Sequence, residues 1–396
     1  MAGLQDELLH ATFDKNVTLG TQEAKLKGKF LFCWPYVWEE HTNWEIIQKL
    51  IETLKNWFQT RFSEEIVHNA LQHVESSVVF SFYSCPSYWR QKAEEPAILA
   101  KLILYSKVVH VLFRVDDLAE EQAGEDHHRI FVQSVGRIIN KILELEFDTI
   151  DDVRKDELYP LIAQIYEPVS FYMELLHDCA MDLKINYGVT KDLGKYFART
   201  TANSYNMQTW CNYKDQSYLL NSYTQYNLRI FTGGINFSEE IIFLLERIYI
   251  PISVRINPFW LRIYEIAAFL ILRANDIIGA EREWQEALRT GKRQDNVIFH
   301  RMETTNCSFE EAVSKSIRKH NLALKEFYDL FESFKTNQYD CLYELTEEEK
   351  QIFVKSTFCL SECIACNIQS QALMRRYNSR LEINFEKSTF SLIEQQ

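Results

Sequence analysis

The sequence contains few of the residues that form turns and end helices. Its 396 residues include only eleven glycines and seven prolines, together about 4.5% where average proteins have roughly 12%. A sheet protein of this length needs many turns, which are built largely from such residues. The low content therefore predicts an all-α protein.

A positive charge excess and a long apolar run are also missing. The formal net charge is −13, which argues against binding of nucleic acid or an anionic membrane through a general positive field. No run of about 18 uninterrupted apolar residues occurs, so we expect no membrane span. With Asp6 and Glu7 near its start, the chain resembles neither a signal nor a transit peptide. We expect a cytoplasmic protein, either monomer or homodimer.

The nine cysteines show no paired framework of the kind that staples small secreted domains, which favours a reducing compartment. Cys359, Cys363 and Cys366 recur at helical spacing, and the last two form a CxxC. No second CxxC or histidine pair completes a zinc site. This spacing therefore predicts a buried helical stripe.

No repeat or composition shift marks a domain boundary. We expect a poorly defined N-terminal segment over residues 1–30 and a single helical domain over 31–396. Besides the N-terminus, the least helical stretches are the charged run 121–129 and residues 289–306.

Two capping boxes predict the starts of long helices. Ser308 is followed three residues later by Glu311, and Thr346 by Glu349. In this arrangement the hydroxyl and the carboxylate each accept a hydrogen bond from a backbone N–H at the helix start. We expect each helix to begin within two residues of its box.

A first acidic cluster, Asp116-Asp117-Leu118-Ala119-Glu120, ends an apolar stretch that runs from Ile98 to Val115. A helix turns about 100° per residue, so Asp116, Asp117 and Glu120 share one side of it. Carboxylates this close repel one another and need neutralisation or a metal ion.

A second cluster lies in the sequence NDIIGAERE, where Asn275, Gly279 and Glu283 recur every four residues after the largely apolar run 260–272. Hard oxygen ligands on an apolar helix suit Mg²⁺. Either cluster alone is more simply a solvated acidic helix end. Two clusters with independent ligand spacing favour a divalent-metal site.

With two further elements, these clusters resemble the motifs of class I terpene synthases of the compact, single-domain type found in microbes and corals. DDLAE resembles the aspartate-rich motif, and NDIIGAERE the NSE-type motif. Arg229 is similar to the diphosphate-sensing arginine, followed by the linker and effector of a helix break at Thr232 and Gly233. Arg376-Tyr377 resembles the terminal Arg-Tyr pair. The resemblance covers roughly residues 80–380.

The resemblance implies a helical bundle around a deep apolar active-site cavity. It also implies Mg²⁺-dependent ionisation and cyclisation of a prenyl diphosphate, with three Mg²⁺ ions expected and Mn²⁺ possible as a substitute. The implied substrate is geranylgeranyl diphosphate, giving a cyclic diterpene, with farnesyl diphosphate and a sesquiterpene as the alternative. No DxDD tetrapeptide is present, so initiation by protonation is not expected.

Each motif residue takes an implied role. The metal ligands would be Asp116, Asp117, Glu120, Asn275, Gly279 and Glu283. Diphosphate would be bound by Arg229, Arg282, Arg376 and Tyr377, and the Gly233 carbonyl would face the substrate. Two alternatives stay open, because Arg282 could instead pair with Glu286 and Gly233 could be an ordinary helix end.

Three positions depart from the family pattern. Gly279 stands where Ser or Thr is usual and brings no side-chain oxygen, so that a water molecule would have to complete the coordination. Glu120 replaces Asp at the end of the first motif, and Thr232 replaces Asp at the linker.

A carbocation needs apolar walls, and aromatic faces stabilise positive charge by cation–π attraction. Aromatic residues make up 14% of the chain. By position, the candidates for lining the cavity are Phe80, Phe82, Phe113, Tyr205, Trp210, Trp260 and Phe269. Any one of them alone is more simply a core residue.

Three other functions compete with this interpretation. An isoprenyl diphosphate synthase would show two DDxxD motifs, whereas the second motif here is of NSE type. An HD-type phosphohydrolase needs His-Asp ligands, and Asp126-His127-His128 has the wrong order. A non-catalytic helical scaffold would not need acids and arginines at these intervals.

Overall fold

The computed structural model describes residues 8–33, 43–61, 64–121, 127–211, 229–231, 233–291, 296–335, 345–373 and 384–388. Helices dominate these residues, as the all-α class expected from the sequence requires. A small antiparallel sheet joins the N-terminal and C-terminal ends of the described chain.

Fourteen helices are described along the chain. The first half contains α1 Trp44–Gln59, α2 Glu64–Ser84, α3 Ser87–Gln91, α4 Pro96–Glu121, α5 His128–Leu143, α6 Ile150–Lys155, α7 Leu158–Tyr187 and α8 Lys191–Cys211. The second half contains α9 Ile235–Leu245, α10 Ile252–Arg255, α11 Pro258–Thr290, α12 Val297–Thr305, α13 Phe309–Lys335 and α14 Glu347–Leu373.

Local sequence explains where the long helices begin. Both predicted capping boxes precede helices, and in the second the backbone N–H of Thr346 donates to Glu349 while that of Glu349 donates back to the Thr346 hydroxyl. Helix α11 has Asn257 as its N-cap, Pro258 in its first turn and Gly291, at φ +68°, after its last residue. These signals begin and end the 33-residue helix that carries the second acidic cluster.

Helix α9 lies among the elements that carry the candidate site. It packs against α4, which carries the first cluster, and against α11, which carries the second. It also contacts α7, α8 and α14. Its residues 237–245 are all buried. Helix α9 thus contacts both helices that carry the acidic clusters.

The predicted cysteine stripe is buried as expected. Cys359, Cys363 and Cys366 on α14 are free thiols with at most 6% exposure. They pack toward other buried side chains of the core. No zinc site is needed to account for their spacing.

Among the described residues, one helix is long and apolar enough to cross a membrane by length and composition. This is the 96–119 part of α4, where the sequence predicted no span. Within that window, 56% of the residues are buried inside the fold, and α1, α2 and α7 pack against the helix. The core helix of a soluble protein meets the same criterion.

The sheet is an element that the sequence did not predict. Strands β1 Leu8–Leu19 and β2 Gln22–Cys33 form a hairpin, and β3 Asn384–Ser388 pairs with the other edge of β1. The expected boundary at residue 30 falls inside β2. Two strands need only one tight turn, here with Gly20 at φ +66°, so a low Gly and Pro content does not exclude a single hairpin.

One stretch predicted to be among the least helical contains a helix. Residues 289–306 include helix α12 and the last residues of α11. The correction has a local cause, because Asn296 accepts a hydrogen bond from the N–H of Ile298 and thereby caps α12. In the charged run 121–129, residues 122–126 lie outside the described chain, and helix α5 begins at His128.

Candidate metal and diphosphate site

The first acidic cluster occupies the last turns of α4. Asp116 and Asp117 are partly buried, and Arg114 Nη1 lies 3.1 Å from a carboxylate oxygen of Asp117 on the same helix. The side chain of Glu120 lies outside the described part. The cluster is therefore placed at a helix end, where it keeps some contact with solvent.

Tyr205 links this helix end to α8. Its hydroxyl donates to the carbonyl of Leu112 at 2.7 Å, one turn before Asp116. Burial raises the pKa of Tyr205 well above its usual value, and the negative charges of Asp116 and Asp117 raise it further. The phenol therefore stays neutral beside the two carboxylates.

The second cluster is more deeply enclosed. Glu283 is 7% exposed and Gly279 is buried, while Asn275 is partly buried. One oxygen of Glu283 accepts from Asn296 Nδ2 at 2.8 Å, and the other lies 3.2 Å from Arg282 Nη2. The Glu283 carboxylate is thus held by one amide and one guanidinium.

The charge on Glu283 is balanced by opposing effects. Burial raises the pKa of its carboxyl, and the nearby carboxylate of Asp276 raises it further. Arg282, Arg229 and the hydrogen bond from Asn296 lower it. Burial is the largest of these influences, so the pKa remains above its ordinary value. A divalent cation at this position would stabilise the ionised form.

Arg229 binds Asp276 in an ion pair between the helix break and α11. Its Nε and Nη2 lie 3.2 and 2.8 Å from one carboxylate oxygen of Asp276. The other oxygen accepts from the N–H of Val297 at 3.3 Å. The Asp276 side chain is only 2% exposed. The arginine predicted to bind diphosphate therefore already has a carboxylate partner within the protein.

Arg282 does not make the alternative pair that the sequence left open. Glu286 instead pairs with Arg289 at 2.5 Å. Arg282 turns to its neighbour Glu283 and keeps 30% exposure of its side chain. Its position beside a predicted metal ligand is compatible with a role toward diphosphate.

The helix break follows Arg229 directly. The N–H of Gly233 donates to the Arg229 carbonyl at 3.1 Å, and Gly234 has φ +67°. A Cβ atom at Gly233 would lie 1.9 Å from Cδ2 of Leu272 on α11. Gly233 thus permits close packing of the break on α11. Its role as effector stays a prediction, and Thr232 lies outside the described residues.

The aromatic candidates form two groups. Phe80 and Phe113 contact each other between α2 and α4, with ring centroids 4.9 Å apart. Trp260 packs with Phe243, Tyr264 and Phe353. Phe82, Tyr205 and Phe269 are buried as well, and the Arg273 guanidinium lies 4.8 Å above the Phe269 ring. Whether they line a cavity stays a prediction. The side chain of Trp210 lies outside the described part, as do Arg376 and Tyr377.

The donor chemistry fits a divalent cation, although the ligand set is incomplete within the described chain. Within the described residues, no group of three or more carboxylate, imidazole or thiol side chains lies close enough together to hold a metal ion. Asn275 offers an amide oxygen in addition, and Gly279 has no side chain. A carboxylate has about four lone-pair positions, so Glu283 can keep its two donors and still accept a cation.

Sequence reasoning missed three residues of this arrangement. Asp276 stands inside the second motif, but its partner Arg229 is 47 residues away. Asn296 binds both the Asp276 carbonyl, at 2.7 Å, and the Glu283 carboxylate. The only signal for it was its place as an N-cap. Arg114 lies one turn before Asp117 and could have been found from that spacing.

A family model agrees with this geometry. The model described as terpene synthase family 2, C-terminal metal binding, matches residues 107–326, more than half of the chain. The matched region includes both acidic clusters, Arg229 and the helix break. It does not include the hairpin or Arg376-Tyr377.

Solved structures with the same fold are terpene synthases at low sequence identity. Germacradien-4-ol synthase from Streptomyces citricolor is 13% identical, with a TM-score of 0.60, covering 86% of this chain and 99% of that one. A single-residue variant of cucumene synthase is also 13% identical, with a TM-score of 0.60 and coverage of 87% and 100%. An α-eudesmol synthase is 15% identical, with a TM-score of 0.61 and coverage of 86% and 98%.

Curated proteins yield no match to the sequence. At these identities the solved structures establish the fold, whereas the family assignment rests on the residues matched by the family model. That match spans the two acidic clusters and Arg229, which joins the second cluster to the helix break. The chain therefore belongs to terpene synthase family 2.

Proposed function

We propose that this protein ionises and cyclises a prenyl diphosphate in a reaction that depends on a divalent metal and releases diphosphate. The observation that carries the proposal is the arrangement around the second motif. Arg229 at the helix break pairs with Asp276, and Arg282 pairs with Glu283, and these two buried acids lie on the same part of α11. Arginines that can bind diphosphate thus lie beside carboxylates that can bind a metal ion, and a complex of metal and diphosphate needs both kinds of group.

The arginines would bind the diphosphate oxygens. A guanidinium presents donors in a planar fork that suits phosphate groups. In the structure these donors are directed at carboxylates, so their side chains are oriented before substrate arrives. Arg376 and Tyr377, near the C-terminus, would complete the set of donors.

The acidic clusters would hold the metal. Asp116, Asp117 and Glu120 would act from α4, and Asn275 and Glu283 from α11, with a water molecule at the position of Gly279. We propose Mg²⁺ as the ion, with three ions per active site. When bound, it neutralises charge on the leaving diphosphate.

Apolar and aromatic side chains would then exclude water from the carbocation. Phe80 and Phe113 are the strongest candidates for this role, since they contact each other one turn before Asp116 and are largely buried. Their ring faces can stabilise positive charge without forming a bond to it.

For chain length we propose geranylgeranyl diphosphate, giving a cyclic diterpene. Farnesyl diphosphate is the second candidate, and one observation favours it. Two of the similar solved structures are named for germacradien-4-ol and eudesmol, and both names denote fifteen-carbon skeletons.

Incubation with Mg²⁺ and each prenyl diphosphate tests the proposal. We expect a cyclic hydrocarbon or alcohol and stoichiometric diphosphate, and the larger kcat/KM identifies the substrate. In a parallel incubation with added isopentenyl diphosphate, formation of a longer prenyl diphosphate would indicate a chain-elongating synthase. Absence of turnover with both substrates, in protein that is folded by circular dichroism, would contradict the proposal.

A further inference from the structure

The N-terminal hairpin contacts the outer side of the helix that carries the second metal motif. Lys15 Nζ lies 2.5 Å from Oε2 of Glu281, and the N–H of Thr18 donates to the other Glu281 oxygen at 3.3 Å. Gln285 Nε2 donates to the Thr18 carbonyl at 2.6 Å. The part of β1 nearest the hairpin turn is thus tied to α11 by polar contacts.

These contacts lie opposite the predicted metal ligands. Glu281 and Glu283 are two residues apart, which separates them by about 200° around the helix. Glu281 and Gln285 therefore form a stripe on the outer face, while Asn275, Gly279 and Glu283 form the stripe on the inner face. Glu281 is a motif residue whose side chain points away from the metal ligands.

The hairpin is firmly placed on the helical body. Phe13 and Phe30 are buried, with ring centroids 5.2 Å apart, and Phe30 packs against His320 of α13. A Cβ atom at Gly28 would lie 2.0 Å from Cδ1 of Ile317, so the strand lies directly on α13. Asn321 also donates to the Lys29 carbonyl at 3.0 Å. The hairpin therefore has a fixed position on α13, from which its polar contacts can hold α11 in place.

We propose that the hairpin is a positioning element for the second metal motif, acting through Lys15 on Glu281 and through Thr18 on Gln285. This inference rests on the proposed function. The inner face of α11 is held by Asn296, which binds the Asp276 carbonyl and Glu283. The hairpin holds the turn at residues 281–285 from outside, so that Glu283 keeps its orientation when metal and diphosphate bind.

The test measures binding of Mg²⁺ together with inorganic diphosphate by calorimetry, independently of turnover. Lys15→Met and Glu281→Gln are each expected to weaken this binding by about 3- to 10-fold, less than the 10- to 100-fold typical of direct partners of metal ligands. The swap Lys15→Glu with Glu281→Lys keeps the net charge and the ion pair but not the hydrogen bond from the Thr18 N–H, and it is expected to restore part of the affinity.

Lys27→Met is the matched control. Lys27 lies on the same hairpin, is 69% exposed, and pairs with Asp14 of that hairpin. The substitution Lys27→Met removes the same charge as Lys15→Met but does not change a contact with α11. The Lys27→Met variant should therefore bind Mg²⁺ and diphosphate as tightly as the wild type. Melting temperatures without metal should be similar for Lys15→Met and Lys27→Met.

Three results would overturn the inference: wild-type affinity in Lys15→Met and Glu281→Gln, an equal loss in Lys27→Met, or no recovery in the swap. If the wild type itself binds no Mg²⁺ with diphosphate, the proposed function fails as well. The two failures are therefore distinguishable.

Discussion

The two acidic clusters lie in different electrostatic surroundings. On α4, Asp117 pairs with Arg114 of the same helix, and its side chain is 18% exposed. On α11, the Asp276 side chain is 2% exposed and binds an arginine from another part of the chain. Glu283 beside it is held by Asn296 and Arg282. Among the described residues, the ion pair of the first cluster lies within one helix, whereas Asp276 and Glu283 of the second cluster are also held by residues outside α11.

This difference separates two ways of holding acidic groups for a metal. The partly buried carboxylates at the end of α4 keep some contact with water, which screens their charge, so they need less support from the protein. Buried carboxylates need cations and hydrogen bonds from the protein, since an uncompensated buried charge is costly. We therefore expect changes at the first cluster to affect turnover mainly, and changes at the second to affect stability as well.

The largest expected effect is on turnover at the first cluster. Asp116→Ala should reduce kcat by about 100-fold or more, because it removes a proposed metal ligand from the reacting diphosphate. Circular dichroism should show unchanged helix content. Glu52→Ala, at an exposed position of α1, serves as the control and should leave kcat unchanged. Retained activity in Asp116→Ala would remove the first cluster from the metal site.

A matched pair of substitutions compares the stability of the two clusters. Asp276→Asn should lower the free energy of unfolding by about 2–4 kcal/mol, because it removes the counter-charge of the partly buried Arg229. Asp117→Asn should lower it by about 1 kcal/mol. Urea unfolding in metal-free buffer measures both. Equal losses would contradict the distinction between the clusters.

The support of the second cluster by close packing can be tested at the helix break. Gly233→Ala should lower the free energy of unfolding by about 1–3 kcal/mol, because its Cβ would overlap Leu272, one turn before Asn275. Adding Leu272→Ala should make the combined loss smaller than the sum of the separate losses. Additive losses would rule out the overlap. Activity lost beyond what unfolding explains would favour the effector role.

Two adjacent glutamates on α9 extend the comparison to acids away from the motifs. Glu240 pairs with Arg255 through two contacts of 2.7 Å. Glu239 is 1% exposed, and neither of its carboxylate oxygens has a hydrogen-bond partner within the described residues. Burial raises the pKa of Glu239 well above its ordinary value, and the neighbouring Glu240 adds to the shift.

The sign of the pH effect follows from that shift. Above the ordinary pKa of glutamic acid, the unfolded chain loses a proton that folded Glu239 still holds, so stability falls as pH rises toward the raised pKa. Glu239→Gln should remove this fall and raise the free energy of unfolding at pH 7 by about 1–3 kcal/mol. Glu240→Gln should instead lower it. Urea unfolding across pH 4–8 tests both, and a loss of stability in Glu239→Gln would contradict the assignment.

The smallest expected effect concerns Gly279. Gly279→Ser adds a hydroxyl oxygen between Asn275 and Glu283 and should lower the half-saturating Mg²⁺ concentration by about 2- to 5-fold, equivalent to less than 1 kcal/mol. Gly279→Ala adds the β-carbon without the oxygen and is the control. Loss of activity in both variants would mean that the glycine is needed for helix packing.

Much of the helical fold could be predicted from the sequence because its signals are local. Capping boxes at Ser308 and Thr346 precede the helices α13 and α14, and the cysteine stripe of α14 is buried as its spacing indicated. The resemblance to the family rested on short motifs, and the spacing of the residues within each acidic motif follows the helical repeat. The hairpin was missed, because a pair of strands depends on pairing and on the helix beneath it.

By itself, the sequence determined which residue types share a helix face, since the helix repeat fixes that relation wherever the chain is helical. It placed Asn275, Gly279 and Glu283 on one stripe and Asp116 near Asp117. Only the tertiary structure decided that Arg229 meets Asp276, that Asn296 holds Glu283, and that Lys15 reaches Glu281. These partners are separated by 13 to 266 residues, and contacts at such distances arise from packing rather than from local spacing.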